Sequence, residues 1–89
     1  MFITGQASSA AILLAMGFDS ITMKKDAVMR FHPIESKNAL KGHRATGAMA
    51  AIVAQRIGNY FAEVVAWMDE ERQFTAPECL ERRLCDLSV

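Results

Sequence analysis

The first quarter of the chain has the apolar pattern of a strand end followed by a short helix. Residues 2–4, with the sequence F-I-T, are typical of the end of a strand. Residues 8–16 predict a helix for which Ser8 or Ser9 supplies the N-cap. Gly17 follows at the position of a left-handed terminator. Because the helix is almost wholly apolar after its serines, we expect it to be buried on most sides.

Two β-like runs follow and are separated by a polar turn. The first run covers residues 20–23, the turn covers 24–26, and the second run covers 27–32 and ends at Pro33. We expect the two runs to pair as a β-hairpin. Residues 35–42 are polar and are expected to form a loop or the start of a helix.

A helical repeat of apolar residues begins near Arg44. The repeat has two groups at helical spacing, namely Met49, Ile52, Val53 and Ile57, then Phe61, Val64, Val65 and Met68. Gly58 and Asn59 lie between the groups and predict that one helix ends and a second begins there. A single helix over residues 44–70 is the alternative that the periodicity leaves open.

The end of the chain predicts a last helix and allows a terminal strand. Thr75 is a candidate N-cap, Pro77 suits a first helical turn, and Glu78 stands where a capping box needs it. This helix is expected to carry two leucines on one face, Leu80 and Leu84. Residues 85–89 have the composition of a possible closing strand.

Length and composition limit the number of domains and the classes of partner that the chain can bind. The 89 residues allow one domain, and the order of predicted elements is an α/β pattern. Ten basic and ten acidic side chains cancel, which argues against a nucleic-acid binder and against electrostatic attraction to an anionic membrane. The apolar run at 10–16 is too short to span a bilayer, and no basic residues precede it as in a signal peptide. We therefore expect a cytoplasmic protein.

The two cysteines, Cys79 and Cys85, form no metal-binding motif. They are not arranged as C-x-x-C, and no histidine lies near them in sequence. We expect two small, half-buried thiols in a reducing compartment. Nothing in the sequence indicates a metal or another cofactor.

Three segments carry groups suited to acyl transfer. Residues 5–11, G-Q-A-S-S-A-A, place a serine at a strand-to-helix turn among small residues, where free backbone N–H groups stabilise an oxyanion. His32 ends a β-like run and is a candidate base, whereas His43 lies in a basic stretch and is expected to be solvated. One carboxylate of residues 69–71, D-E-E, is suited to orient an imidazole. Taken singly, each feature has a plainer interpretation: a capping serine, a strand-end histidine and a solvated helix end.

Taken together and in order, these segments resemble the proteolytic subunit of Clp protease, the ClpP family. Residues 5–11 resemble the family's nucleophile motif, G-x-A-A-S-M-G/A. Residues 26–33, D-A-V-M-R-F-H-P, resemble its N-A-R-I-M-I-H-Q-P segment. Residues 68–78, M-D-E-E-R-Q-F-T-A-P-E, resemble its acidic segment before F-x-S/T-A-x-E-A, and residues 79–86 resemble the A-x-E-x-G-L-x-D that follows.

The resemblance implies a set of site residues. It identifies Ser9 as the catalytic serine, His32 as the catalytic histidine, and Glu71 or Asp69 as the acid. It also implies that the backbone N–H of Ala10 supplies half of an oxyanion hole. The sequence departs from the family pattern because Ala10 replaces a Met, Glu71 replaces an Asp, and the segment between His32 and Glu71 is shorter than usual. Arg83 also replaces a common Gly.

The resemblance covers residues 3–89 and implies a partial ClpP/crotonase-like fold. Residues 1–89 would then form a single partial domain that lacks the family's N-terminal strands and Gly-rich loop. The implied function is a serine endopeptidase subunit that cleaves unfolded polypeptides within a homo-oligomeric ring, supplied by an AAA+ unfoldase. The alternative is an inactive fragment or structural subunit that assembles with another ClpP-like chain. A crotonase-type or signal-peptide-peptidase-type member of the same superfold ranks last.

Overall fold

The structure is a computed structural model that describes residues 1–34, 37–58 and 60–89, with the backbone alone at Ser9. Glu35 and Ser36, in the polar segment, and Asn59, a predicted cap, lie outside the described residues. The described part contains six short strands and four helices: β1 (Phe2–Ile3), β2 (Gln6–Ser8), α1 (Ser9–Ala15), β3 (Thr22–Met23), β4 (Val28–Arg30), α2 (Ala39–Ile57), α3 (Phe61–Asp69), β5 (Gln73–Thr75), α4 (Ala76–Glu81) and β6 (Leu87–Ser88). The predicted α/β class is confirmed.

The strands form two small sheets that share no strand. The first has the order β1-β3-β6 and is parallel throughout. The second has the order β2-β4-β5, with β2 and β4 parallel and β4 and β5 antiparallel. Residues 2–8 and 22–30 therefore run side by side in the same direction, as expected for segments joined through a helix, here α1.

The expected hairpin over the two β-like runs is wrong, because β3 and β4 belong to different sheets. The backbone N–H of Lys24 donates to the Ile3 carbonyl at 2.8 Å, and the N–H of Val28 donates to the Gly5 carbonyl at 3.1 Å. Each run thus continues a parallel pairing with the start of the chain. The polar turn at 24–26 carries the chain from one sheet to the other.

Helix α1 is shorter and more exposed than its sequence predicts. Ser8 is in the N-cap position, but its side chain makes no capping hydrogen bond. Ile12 is fully buried while Leu14 is 62% exposed, so the expectation of burial on most sides is wrong. The helix closes at Met16 in a right-handed conformation, and the expected left-handed Gly17 is also wrong. The N–H groups of Gly17 and Phe18 donate to the Leu14 and Ala15 carbonyls at 3.1 and 3.0 Å, so these carbonyls are satisfied without a left-handed residue.

Helices α2 and α3 are separate, and the single-helix alternative is therefore wrong. Gly58 ends α2 with φ of 68°, a left-handed conformation that glycine adopts without steric cost. Helix α2 begins earlier than its apolar spacing indicates. The cause is Asn38, whose side chain accepts hydrogen bonds from the N–H groups of Leu40 and Lys41.

The predicted capping box at the start of α4 is confirmed. The Thr75 N–H donates to Glu78 Oε1 at 3.0 Å, and the Glu78 N–H donates to Thr75 Oγ1 at 3.4 Å. The Thr75 N–H and the Thr75 hydroxyl, which donates to the same carboxylate oxygen at 2.9 Å, lower the pKa of Glu78. Because α4 ends at Glu81, the predicted leucine face is wrong: Leu84 is buried beyond the helix, and Leu80 is 43% exposed. The terminal strand, β6, is confirmed.

The core lies between the sheets and the helices and is anchored by three aromatic rings. Phe31, Trp67 and Phe74 pack edge to face, with ring centroids 5.0–5.8 Å apart. Ala7 and Met29 complete the inner side of the β2-β4-β5 sheet. Across the described ranges, no helix is both long enough and apolar enough to cross a membrane.

Candidate active site

Strand alternation gives the β2-β4-β5 sheet one buried and one polar face. Ala7 and Met29 pair across the sheet and are buried. Successive side chains of a strand point to opposite faces, so their neighbours Ser8 and Arg30, which also pair, lie on the outer face. His32 follows Arg30 by two residues and is half-buried. The carboxyl ends of β2 and β4 therefore bring a serine and a histidine to the same edge.

An open depression of about 260 Å³ lies at this edge. Its lining is polar and comes from three separate parts of the chain, Gln6, Ser8, Arg30, His32 and Glu71. We call it the site depression. It holds a hydroxyl, an imidazole, a carboxylate and a guanidinium, which are the groups used in proton transfer and in charge stabilisation.

A hydrogen bond to the backbone of the next residue orients the His32 ring. Its Nδ1 lies 2.9 Å from the carbonyl oxygen of Pro33. A carbonyl only accepts hydrogen bonds, so Nδ1 carries the proton in this contact. In the neutral ring Nε2 is then the basic nitrogen, which is the tautomer that a general base requires.

Helix α2 holds the segment that follows His32. The Ile34 N–H donates to Thr46 Oγ1 at 2.8 Å, and the Thr46 hydroxyl donates to the Gly42 carbonyl at 2.8 Å. Through its one side-chain oxygen, Thr46 therefore joins the segment that follows β4 to α2. Because Pro33 lies between His32 and Ile34, this bridge also fixes the carbonyl that orients the imidazole.

Glu71 reaches the site depression through the pairing of β4 with β5. The Phe31 N–H donates to the Arg72 carbonyl at 2.8 Å, which sets the two segments side by side. Glu71 precedes this pairing in a left-handed conformation, with φ of 53°. The other candidate acid, Asp69, lines a different groove, between α2 and α3, together with His43. The expected exposure of His43 is confirmed.

Ser9 is the first residue of α1, directly after Ser8. The first N–H groups of a helix, here including that of Ala10, have no partner within the helix. The sequence predicts Ser8 only as a helix cap and does not identify Gln6 or Arg30 as site residues. Their positions two residues apart along β2 and β4 indicate a shared face only once the register of the two strands is known.

The cysteines do not offer a second nucleophile at neutral pH. Both are free thiols and both are buried, more completely than expected. Burial raises the pKa of Cys79 to about 12 and also raises the pKa of Cys85. A thiol of this kind stays protonated and unreactive. Within the described ranges, no group of three or more His, Cys, Asp or Glu side chains is arranged to hold a metal ion.

Compared with known proteins, the chain matches no protein-family model and no curated protein.

Proposed function

We propose that this chain is a serine-type peptide hydrolase of the ClpP type, with Ser9 as nucleophile and His32 as base. The observation that carries the proposal is the site depression. In it the imidazole of His32, with Nε2 as its basic nitrogen, lies with the hydroxyl of Ser8 and the carboxylate of Glu71, and Ser9 follows Ser8 directly as the first residue of α1. This combination is what nucleophilic acyl transfer requires.

In the proposed reaction, Ser9 Oγ attacks the carbonyl carbon of a peptide bond while His32 Nε2 takes the hydroxyl proton. The backbone N–H of Ala10 hydrogen-bonds to the negatively charged oxygen that forms. His32 then gives the proton to the leaving amine as the C–N bond breaks. Water, activated by the same ring, hydrolyses the acyl-enzyme and regenerates the serine.

The proposed role of Glu71 is to stabilise charge. The Nδ1 proton of His32 is already held by the Pro33 carbonyl, so the imidazole does not need a carboxylate to set its tautomer. The negative charge of Glu71 instead favours the imidazolium that forms during attack. Arg30 lies in the same depression and is suited to bind a carbonyl oxygen of the substrate.

The substrate class and the partners follow from the resemblance. We propose that the substrate is an unfolded polypeptide, that copies of the chain assemble as a homo-oligomeric ring, and that an AAA+ ATPase unfoldase delivers the substrate. We further propose a cytoplasmic location. The two free, buried thiols support a reducing compartment.

Hydrolysis of a fluorogenic peptide tests the proposal, with two adjacent serines as matched variants. We expect Ser9→Ala to lower kcat/KM by at least about 1,000-fold, because the nucleophile is lost. Ser8→Ala should lower it by about 10-fold or less. No hydrolysis by the unmodified chain would overturn the proposal. Equal rates for Ser9→Ala and the unmodified chain would overturn the assignment of the nucleophile.

A second candidate function is that of a structural subunit without catalysis. It is favoured by the outer face of the β1-β3-β6 sheet, where Phe2 and Leu87 flank Thr22 and are 55% and 53% exposed. Parallel sheets are usually covered on both faces, so a partner chain is expected there. Sedimentation of the unmodified chain and of the Phe2→Ser/Leu87→Ser variant tests it. Association lost in the variant supports this candidate, and a stable monomer of the unmodified chain contradicts it.

A further inference from the structure

A second concave surface lies between α2 and α3, outside the site depression. It consists of two adjoining depressions of about 470 Å³ and 260 Å³, which share His43, Thr46 and Asp69. We call it the α2–α3 groove. Apolar side chains form its walls, among them Ile34, Phe61 and Val65. The groove therefore combines an apolar path with a carboxylate.

The carboxylate of Asp69 is located where a negative charge is unfavourable. Asp69 is the last residue of α3, beside the carbonyl groups that give a helix C-terminus a partial negative charge. In the described part of the chain the ion pairs are Arg56–Asp86 and Arg72–Glu70, and Asp69 has no hydrogen-bond or ion-pair partner there. Two negative contributions thus meet at the groove, which among the described residues is lined by His43 but by no lysine or arginine. A positively charged ligand would be favoured by both.

The groove is also continuous with the segment that carries His32. Its lining includes Pro33 and Ile34, the two residues that follow His32 in the chain. Because His32 lines the site depression, a polypeptide bound there would reach the groove with a side chain close to the scissile bond. Long cationic side chains suit this shape, because their methylene groups pack on apolar surface while the charged end stays in water.

We propose that the α2–α3 groove binds a lysine or arginine side chain of the polypeptide substrate, with its charged end at Asp69. The inference rests on the proposed function and names the substrate class of the same site. It makes the chain a hydrolase with a preference for cationic residues near the bond that it cleaves.

The test measures peptide binding to the full chain carrying Ser9→Ala, so that no turnover occurs. The probes are acetyl-Ala-Ala-Arg-Ala-amide and its citrulline counterpart, titrated by calorimetry at low salt. Citrulline keeps the shape of arginine without its charge. We expect the arginine peptide to bind about 3- to 5-fold more tightly, the range of an exposed ion pair. Asp69→Asn should remove this difference.

Glu70→Gln is the matched control, because Glu70 is adjacent, exposed and paired with Arg72 outside the groove. It should keep the preference for arginine. Equal affinity for the two peptides, or a preference that survives Asp69→Asn, would overturn the inference. Free agmatine that binds as tightly as the arginine peptide would also overturn it, since the site would then be one for small cations. Failure of the proposed function is distinct: the binding preference would persist while the chain with Ser9 intact cleaves nothing.

Discussion

The two sheets of this molecule have the same arrangement of inner and outer faces, but they expose different kinds of side chain. In each, one row of side chains is buried, with Ser88 of the β1-β3-β6 sheet only half-buried, and the opposite row faces outward. On the β2-β4-β5 sheet the outward positions are mostly polar and include Ser8 and Arg30. On the β1-β3-β6 sheet the outward row is Phe2, Thr22 and Leu87. The first sheet exposes mostly polar and charged side chains to solvent, and the second exposes mostly apolar ones.

Charged groups near the two sheets differ in the same way. Beside the β1-β3-β6 sheet, Asp86 accepts the Ile21 N–H at 2.7 Å and pairs with Arg56 at 3.4 Å. That carboxylate is used to hold the fold. Glu71 and Arg30, beside the other sheet, line an open depression instead. One sheet thus borders an open polar depression, and the other exposes apolar side chains to solvent.

The largest expected effect contrasts the inner face of one sheet with the outer face of the other. Phe74 is fully buried and contacts two aromatic rings as well as the guanidinium groups of Arg72 and Arg82. Phe74→Ala should lower the free energy of unfolding by about 3–5 kcal/mol, the cost of an aromatic cavity. Phe2→Ala should change the free energy of unfolding of the monomer by about 0.5 kcal/mol or less. Urea unfolding measures both, and similar losses would break the comparison.

Catalysis should separate the two candidate acids. Glu71→Gln should lower kcat/KM by about 100-fold, because the charge beside His32 is lost while the side-chain shape is kept. Asp69→Asn should change kcat/KM for an uncharged peptide by about 3-fold or less, because Asp69 lines the α2–α3 groove. Steady-state kinetics on one uncharged substrate give both values. The opposite ranking would transfer the role of the acid to Asp69.

Thr46 should act on catalysis through His32, and because it also lines the α2–α3 groove, its effect is measured on a peptide without lysine or arginine. Thr46→Val removes the oxygen that receives the Ile34 N–H, so the Pro33 carbonyl is held less firmly. We expect about a 10-fold loss in kcat with a shifted pH profile, and recovery in Thr46→Ser, which restores the hydroxyl. Loss of stability with unchanged kcat and pH profile would reduce Thr46 to a structural role.

The smallest effect concerns the turn that leads into β6. Arg83 has φ of 64°, a conformation that is costly for a residue with a side chain. Arg83→Gly should raise the free energy of unfolding by about 0.5–1 kcal/mol and leave kcat/KM unchanged, because this turn is on the side of the apolar sheet. Gly58→Ala, also at a left-handed position, should lower stability by about 1 kcal/mol. Thermal unfolding checks the opposite signs.

Local sequence features predicted the parts of the fold that local contacts determine. The capping box at Thr75, the helix break at Gly58 and the strand-to-helix turn before Ser9 are each set by residues a few positions apart. The hairpin prediction failed because the strands are two or three residues long and their pairing is set by distant segments. A polar turn between two β-like runs does not encode which strand each will join.

The candidate site shows the same limit. Ser9, His32 and the acidic segment were identified from their types, their order and the family resemblance. Ser8 and Arg30 were not, because their shared face depends on the register of β2 with β4. The separation of Glu71 from Asp69 likewise depends on the Phe31–Arg72 hydrogen bond, which joins segments far apart in sequence.

The central claim is that the edge of the β2-β4-β5 sheet holds an activated serine. Reaction with a fluorophosphonate probe, followed by intact mass measurement and peptide mapping, tests it most directly. We predict one adduct, on Ser9, that is absent in Ser9→Ala, retained in Ser8→Ala and formed far more slowly in His32→Ala. No adduct on the unmodified chain, or equal labelling of the unmodified chain and Ser9→Ala, would contradict the claim.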